Sequence, residues 1–321
     1  MTQVTKASAL DLETIREAHK RITPHIHRTP VMTSASLDEI AGAKLFFKCE
    51  NLQRTGSFKI RGATNAVFSL SDAEAARGVV THSSGNHAAA LSSAARRRGI
   101  PAHVVMPKNA PKVKCQAVEA YGGKITFCEP TVQAREAGAA EILARTGGVL
   151  IHPFDNDRVI AGQGTAALEL LEDVPDLDFI LAPVSGGGLL SGTATAARAL
   201  RPQIRVIGGE PKQADDTYRS LEAHRIIPLG RSDTIADGLR ASLAPRTFAI
   251  LERLVSAVSL VTEEEIVAAM RLLWERMKLV VEPSGAVAAA PALYRHIGAE
   301  GRRVGIILSG GNVDLAALPF A

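Results

Sequence analysis

A chain of 321 residues, 46% apolar and 22% charged, can bury a sizeable core in one large or two compact domains. Three unevenly spaced Cys exclude a disulfide scaffold and a Cys-rich zinc site, and a formal charge of +4 gives no basic nucleic-acid surface. Residues 1–11 have no signal-peptide core and no run reaches transmembrane length, so a cytoplasmic protein without nucleic-acid or membrane partners is expected.

In chain order, Leu45–Glu50 reads as a strand, and Arg54-Thr55-Gly56-Ser57 as the turn into a helix that carries Lys59. Short apolar runs then alternate with Ala-rich helical patterns. Val79–His82, His103–Met106, Ile125–Cys128, Val149–Ile151, Phe179–Val184, Ile204–Ile207 and Val304–Leu308 read as strands. Ala88–Arg97, Lys112–Tyr121, Val132–Arg145 and Gly162–Leu170 read as helices, with Gly122-Gly123 and Gly147-Gly148 as helix exits. Arg96-Arg97-Arg98 is the solvated end of a helix. Such alternation predicts an α/β fold of two open, mostly parallel twisted sheets flanked by helices. The charged, turn-rich stretch Glu210–Leu239 predicts surface structure rather than core.

Four motifs fall where such sheets hold ligands, at the ends of strands or helices. Lys59 lies in Gly56-Ser57-Phe58-Lys59-Ile60-Arg61-Gly62, where small neighbours admit a planar ring and Phe58 screens one side from water. A lysine buried there loses its charge readily and can form a Schiff base. Ser185-Gly186-Gly187-Gly188-Leu189 follows a strand and opens a helix, so converging amides can hold a phosphate without a lysine; a plain tight turn would need fewer small residues. Ser83-Ser84-Gly85-Asn86-His87 repeats the arrangement, with hydroxyls and amides for a substrate carboxylate and Asn86 for a ring hydroxyl; His87 reads equally as a structural histidine. Ser309-Gly310-Gly311-Asn312 ends the last strand, where a serine can pair with a neutral pyridine nitrogen and so favour elimination over a long-lived carbanion.

These motifs, in this order, resemble the serine/threonine dehydratase and serine racemase family of pyridoxal-phosphate enzymes, which includes the 3-hydroxyaspartate dehydratases and has the tryptophan-synthase-beta type of fold (fold type II). The resemblance runs from about Ile22 to Leu315. It implies pyridoxal 5'-phosphate as cofactor, Lys59 as the Schiff-base lysine, Phe58 against the ring, Gly186, Gly187, Gly188 and Leu189 as the phosphate cradle, Asn86 at the ring hydroxyl and Ser309 at the ring nitrogen. It also implies a small domain over residues 53–146, a large domain over 1–52 and 147–321, and a homodimer. Ser83, Ser84, Gly85 and His87 would bind substrate. Ser84 matches the racemases, where the serine exchanges a proton on the ring face opposite the lysine, and it also suits elimination. Arg135 matches an arginine of racemases and hydroxyaspartate dehydratases; its fork could take a second carboxylate, or it could pair with Glu136 on the helix surface. Phe154 departs from the animal racemases toward the threonine dehydratases, and Ala89 stands where those racemases bind ATP through glutamine.

The resemblance also places a divalent cation, Mg, Ca or Mn, on Glu210, the Ala214 carbonyl and Asp216, in a structural role; without it the residues read as an acidic surface turn. The chain ends soon after Ser309, so no C-terminal regulatory domain is expected. The expected activity is β-elimination from an L-3-hydroxy amino acid, serine/threonine or 3-hydroxyaspartate, to a 2-oxo acid and ammonium. Serine racemisation is the alternative, and a non-enzymatic phosphate-ligand binding protein a remoter one.

Overall fold

Two sheets carry the ten strands found among the described residues, which are 10–83, 85–110 and 112–320 of the computed structural model. The larger sheet comprises β1 (Val31–Met32), β2 (Lys44–Cys49), β7 (Phe179–Pro183), β8 (Arg205–Pro211), β9 (Ala257–Val261) and β10 (Arg303–Leu308), in the spatial order β1-β2-β10-β7-β8-β9. All neighbours run parallel except β1 against β2. The smaller sheet, wholly parallel, comprises β3 (Val79–His82), β4 (Ala102–Pro107), β5 (Lys124–Cys128) and β6 (Val149–Leu150), in the order β5-β4-β3-β6. Parallel pairing requires long crossovers, and helices supply them.

The strands of the large sheet read as unbroken apolar runs because both faces are covered. Ile180, Leu181 and Ala182 are buried, as are Ile306, Ile307 and Leu308. Since β10 lies between β2 and β7, the end of the last strand arrives beside the segment that follows β2. The end of the chain and its first sixty residues thereby share one site.

Helix Asp157–Asp173 is the spine of the molecule. Asn156 caps it, its Oδ1 accepting from the Val159 amide at 3.2 Å. It packs on the Lys59 helix (Lys59–Phe68) and on the helix that follows the phosphate-type loop (Gly188–Leu200). Both crossings depend on missing side chains. A Cβ on Gly162 would stand 2.6 Å from the Cα of Gly62, and one on Gly192 would stand 2.6 Å from the amide nitrogen of Gly164. The sequence pattern starts this helix at Gly162, whereas it starts at Asp157. The glycine is a packing notch inside the helix rather than its opening.

Strand β8 runs on beyond Ile207 through Gly208 and Gly209, which pair with Ala182 and Pro183, and position 209 is glycine where a Cβ would meet the Val287 carbonyl at 2.8 Å. The stretch Glu210–Leu239 departs from its surface reading: Glu210, Ala214, Asp216, Thr217, Ser220 and Ala236 are all buried. Glu210 and Ser220 fold inward by bonding the segment's own backbone, Glu210 accepting from the Thr217 and Tyr218 amides and Ser220 Oγ from the Ile227 amide. The arginine run does end a helix (Asn86–Arg98); Arg96 and Arg97 are exposed, while Arg98 donates to the carbonyls of Val67 and Leu70.

Candidate active site

The Lys59 segment is held against the end of β10 by backbone bonds. The Phe58 amide donates to the Ser309 carbonyl at 3.0 Å and the Gly311 amide to the Gly56 carbonyl at 2.9 Å, with a further bridge between Ser57 and Gly310. The turn before it is left-handed at Thr55 (φ 62°) and Gly56 (φ 70°). Gly56 is required twice over, since a Cβ there would also lie 2.2 Å from Asn312 Oδ1. The strained Thr55 is fixed by Asn312, whose Nδ2 donates to the Thr55 carbonyl at 2.8 Å.

Lys59 is half-buried, with Nζ donating to the Pro153 carbonyl at 3.2 Å and lying 5.0 Å from the centre of the Phe58 ring. Burial lowers its pKa to about 8, against the opposing charge of Glu282. A fraction of the amine is therefore neutral near physiological pH, as a nucleophile or base requires.

Glu282 was not singled out by the sequence patterns. It is buried and caps the short helix Pro283–Ala286, and burial followed by the charge of Asp237 raises its pKa to about 8. Asn86 Nδ2 donates to its Oε1 at 2.8 Å, while Asn86 Oδ1 accepts from Asn312 at 2.9 Å. One chain of side chains thus joins Asn312, Asn86, Glu282 and, electrostatically, Lys59. The available signal was Glu-Pro after the apolar pair Val280-Val281, which marks a helix start inside a buried stretch.

Helix Asn86–Arg98 starts at this chain of side chains, with Gly85 as its N-cap and Ser83 just after strand β3. Ser84 lies outside the described residues. His87 is buried; its Nε2 bonds the Ile151 carbonyl at 3.2 Å, and burial lowers its pKa to about 3, so the ring is neutral. That placement suits support of the loop.

On the opposite wall Gly187 (φ 87°) caps helix Gly188–Leu200 directly after β7. A Cβ on Gly186 would fall 2.4 Å from the Phe154 ring, and one on Gly187 2.8 Å from Thr247 Cβ. Phe154 is set by His152, whose Nδ1 accepts from the Asp155 amide at 2.9 Å and whose ring meets the Phe154 ring edge-on at 4.6 Å. Burial and then the neighbouring His82 lower His152 to about 4. Ser309 is buried, with Oγ 3.5 Å from the Ser284 carbonyl, and Leu189 is buried beside the loop.

Arg135 is half-buried on helix Val132–Thr146, its Nε 3.4 Å from the Thr131 carbonyl. Among the described residues no carboxylate lies within ion-pair distance of it, Glu136 included. Its charge contributes, after burial, to lowering the pKa of His82 on β3. At the end of β8, Glu210 accepts from the amides of Thr217 and Tyr218, each at 2.9 Å, and Asp216 keeps a buried Oδ2 without a partner. Burial raises Glu210 to about 8 and Asp216 to about 7. The described residues contain no group of three or more His, Cys, Asp or Glu able to hold a metal, so a cation here would need carbonyl or water oxygens as well.

A basic amine of lowered pKa, a loop of three glycines at a helix N-terminus and a buried serine at the end of the last strand fit a phosphate-bearing aldehyde cofactor. Two parallel sheets framing such a site define a class of enzymes that work on amino groups. The family model described as "Pyridoxal-phosphate dependent enzyme" matches residues 22–310, and the chain belongs to that family. It is 54% identical to a serine racemase of Arabidopsis thaliana over 315 residues, covering 97% of this chain and 95% of that protein. It is 52% identical to a beta-hydroxyaspartate dehydratase of Paracoccus denitrificans, covering 96% and 98%. The solved structure of maize serine racemase superposes with a TM-score of 0.94 at 51% identity, covering 96% of this chain and 95% of that one.

Proposed function

We propose that the protein is a dehydratase (ammonia-lyase) that eliminates water from an L-3-hydroxy amino acid, serine/threonine or 3-hydroxyaspartate, giving a 2-oxo or imino acid with release of ammonia. The observation that carries the reading is the Lys59 amine, held at the Pro153 carbonyl beside the Phe154 ring that packs on Gly186, with its pKa lowered by burial. Gly186, Gly187, Gly188 and Leu189 would hold the cofactor phosphate, Phe58 its ring face, Asn86 its hydroxyl and Ser309 its ring nitrogen. Bound pyridoxal phosphate supplies the electron sink that makes the substrate α-proton acidic.

Lys59 Nζ is the group that takes that proton. The loop of Ser83, Ser84, Gly85 and His87 receives the substrate α-carboxylate at a helix N-terminus, where anions are favoured. Burial raises the pKa of Glu282 and so disfavours a second negative charge beside that carboxylate. Arg135, free of any carboxylate partner among the described residues, is the residue for a second one. That arrangement keeps 3-hydroxyaspartate beside serine and threonine as substrate. Serine racemisation is the second reading, favoured by the 54% identity to the Arabidopsis serine racemase.

Residues 53–146 would form the small domain and 1–52 with 147–321 the large one, in a cytoplasmic homodimer. Glu210, the Ala214 carbonyl and Asp216 would hold a structural Mg, Ca or Mn ion, since the orphan Asp216 Oδ2 leaves a buried acceptor for it.

The test measures 2-oxo acid formation from L-serine, L-threonine and the stereoisomers of 3-hydroxyaspartate on cofactor-loaded protein, with chiral analysis of the residual amino acid. Elimination predicts 2-oxo acid from at least one of them, reduced about 10³-fold or more by Lys59→Ala. Accumulation of the opposite enantiomer without 2-oxo acid would replace this reading by racemisation.

A further inference from the structure

An ion pair links an element beside the small sheet to one beside the large sheet. Lys114, on helix Lys112–Ala120 beside the small sheet, pairs through Nζ with Asp237 Oδ2 in the 3-10 turn Asp237–Leu239 of the large-sheet layer, 123 residues further along the chain. The lysine side chain is 20% exposed and the aspartate 43%, so Lys114 is the more deeply seated partner. Lys114 Nζ stands 3.8 Å from the point a Cβ on Gly85 would occupy, beside the N-cap of the helix whose start is proposed to take the substrate α-carboxylate. Both charges are felt by Glu282, which in turn acts on Lys59 and bonds Asn86. The ammonium therefore belongs to the neighbourhood of the reacting amine.

We infer that Lys114 is a specificity-determining residue: the side-chain carboxylate of a dicarboxylic substrate displaces Asp237 as the counterion of Lys114, whereas a monocarboxylic substrate leaves the pair intact. The inference rests on the elimination reading above and gives its cleft a second cation beside Arg135. A carboxylate already sits where the substrate's would go, so the site is built for that chemistry and is self-neutralised in its absence. Asp237 acts as an internal competitor, opposing dicarboxylates and shielding serine or threonine from an unpaired charge.

The two partners should then act in opposite directions. On cofactor-loaded protein, Lys114→Met lowers the ratio of kcat/KM for 3-hydroxyaspartate to that for L-serine by tenfold or more, and Asp237→Asn raises it several-fold. Succinate, which carries two carboxylates and no amine, provides a binding readout free of turnover. Its affinity, followed by calorimetry against propionate as the monocarboxylate control, weakens in Lys114→Met and tightens in Asp237→Asn. An interdomain tie with no role in specificity would make both variants lower both substrates in parallel and leave the succinate-to-propionate ratio unchanged, and either result overturns the inference. If no hydroxy amino acid is turned over by the wild-type protein, the proposed function fails, and the succinate arm alone decides the role of Lys114.

Discussion

Glu282 shows how one buried carboxyl sets the pH behaviour of the site. Its folded pKa, about 8, lies above the 4.5 of an ordinary glutamate, so between these values the folded protein keeps a proton that the unfolded chain releases. Stability therefore falls as pH rises through that window, at up to about 1.4 kcal/mol per pH unit for a single proton. Lys59, Asp237, Lys114 and Asn86 are the groups that face it, and Lys59, lowered to about 8, has the opposite slope only above that pH. Glu282→Gln removes the proton while keeping an amide that can meet Asn86. Urea midpoints of cofactor-free protein between pH 5 and 8 should fall less steeply in this variant than in wild type; equal slopes would show that Glu282 ionises normally. Glu210 and Asp216 contribute the same background to both proteins.

Among the elements, the Lys59 helix is anchored by charge as well as by backbone contact. Arg61, wholly buried two residues beyond Lys59, binds Glu50 through Nε and Nη2 at 2.7 and 2.8 Å and Glu169 through Nη1 and Nη2 at 2.9 and 2.8 Å. Lys48 adds a 2.7 Å contact to Glu169, and the four charges sum to zero. Burial alone would raise Glu169, but Arg61 and Lys48 overcome it and hold its carboxyl at about 2. Truncating the guanidinium leaves two carboxylates facing a single lysine in a dry interior. Arg61→Met should cost about 3–5 kcal/mol, a large share of the roughly 5–15 kcal/mol that holds a domain folded. A denaturation midpoint close to wild type would mean that water or proton uptake relieves the pair. The elements themselves were largely legible in the sequence, since all eight predicted strands fall on observed ones and the apolar runs of β7 and β10 required cover on both faces. Helix starts were less so. A cap such as Asn156 is one polar residue among many, and Gly162 looks like a beginning unless Gly62 is known to lie against it.

At the scale of the whole molecule, the motifs that carried the resemblance are the ones the topology gathers. Insertion of β10 between β2 and β7 brings Ser309 to Phe58, a contact between opposite ends of the chain. What escaped the sequence reading is what depends on folding for its chemistry. Glu282 is an ordinary acidic residue until burial alters it, and apart from the resemblance Glu210 and Asp216 looked like surface carboxylates in a charged stretch. If those two hold a cation, it binds the folded protein and not the unfolded chain, so its removal lowers stability by mass action. Millimolar magnesium or calcium added to chelator-treated protein should raise Tm by several degrees, about 3 kcal/mol at a hundredfold excess over Kd, and Asp216→Asn should abolish the rise. An equal rise in Asp216→Asn would place the cation elsewhere.

The spine helix has a consequence for how such a protein can change its chemistry. Its notch at Gly162 receives the Lys59 helix and its notch at Gly164 receives the helix of the glycine cradle, each at a separation that admits no methyl group. The gap between amine and phosphate seat is thus gauged at both notches by main chain against main chain, with side chains such as Gln163 only flanking the contact. The residues proposed above to set substrate choice, Arg135 and Lys114, touch neither notch. Substrate choice can drift at those residues while the gauge length stays fixed, so relatives that differ in reaction can share one ruler.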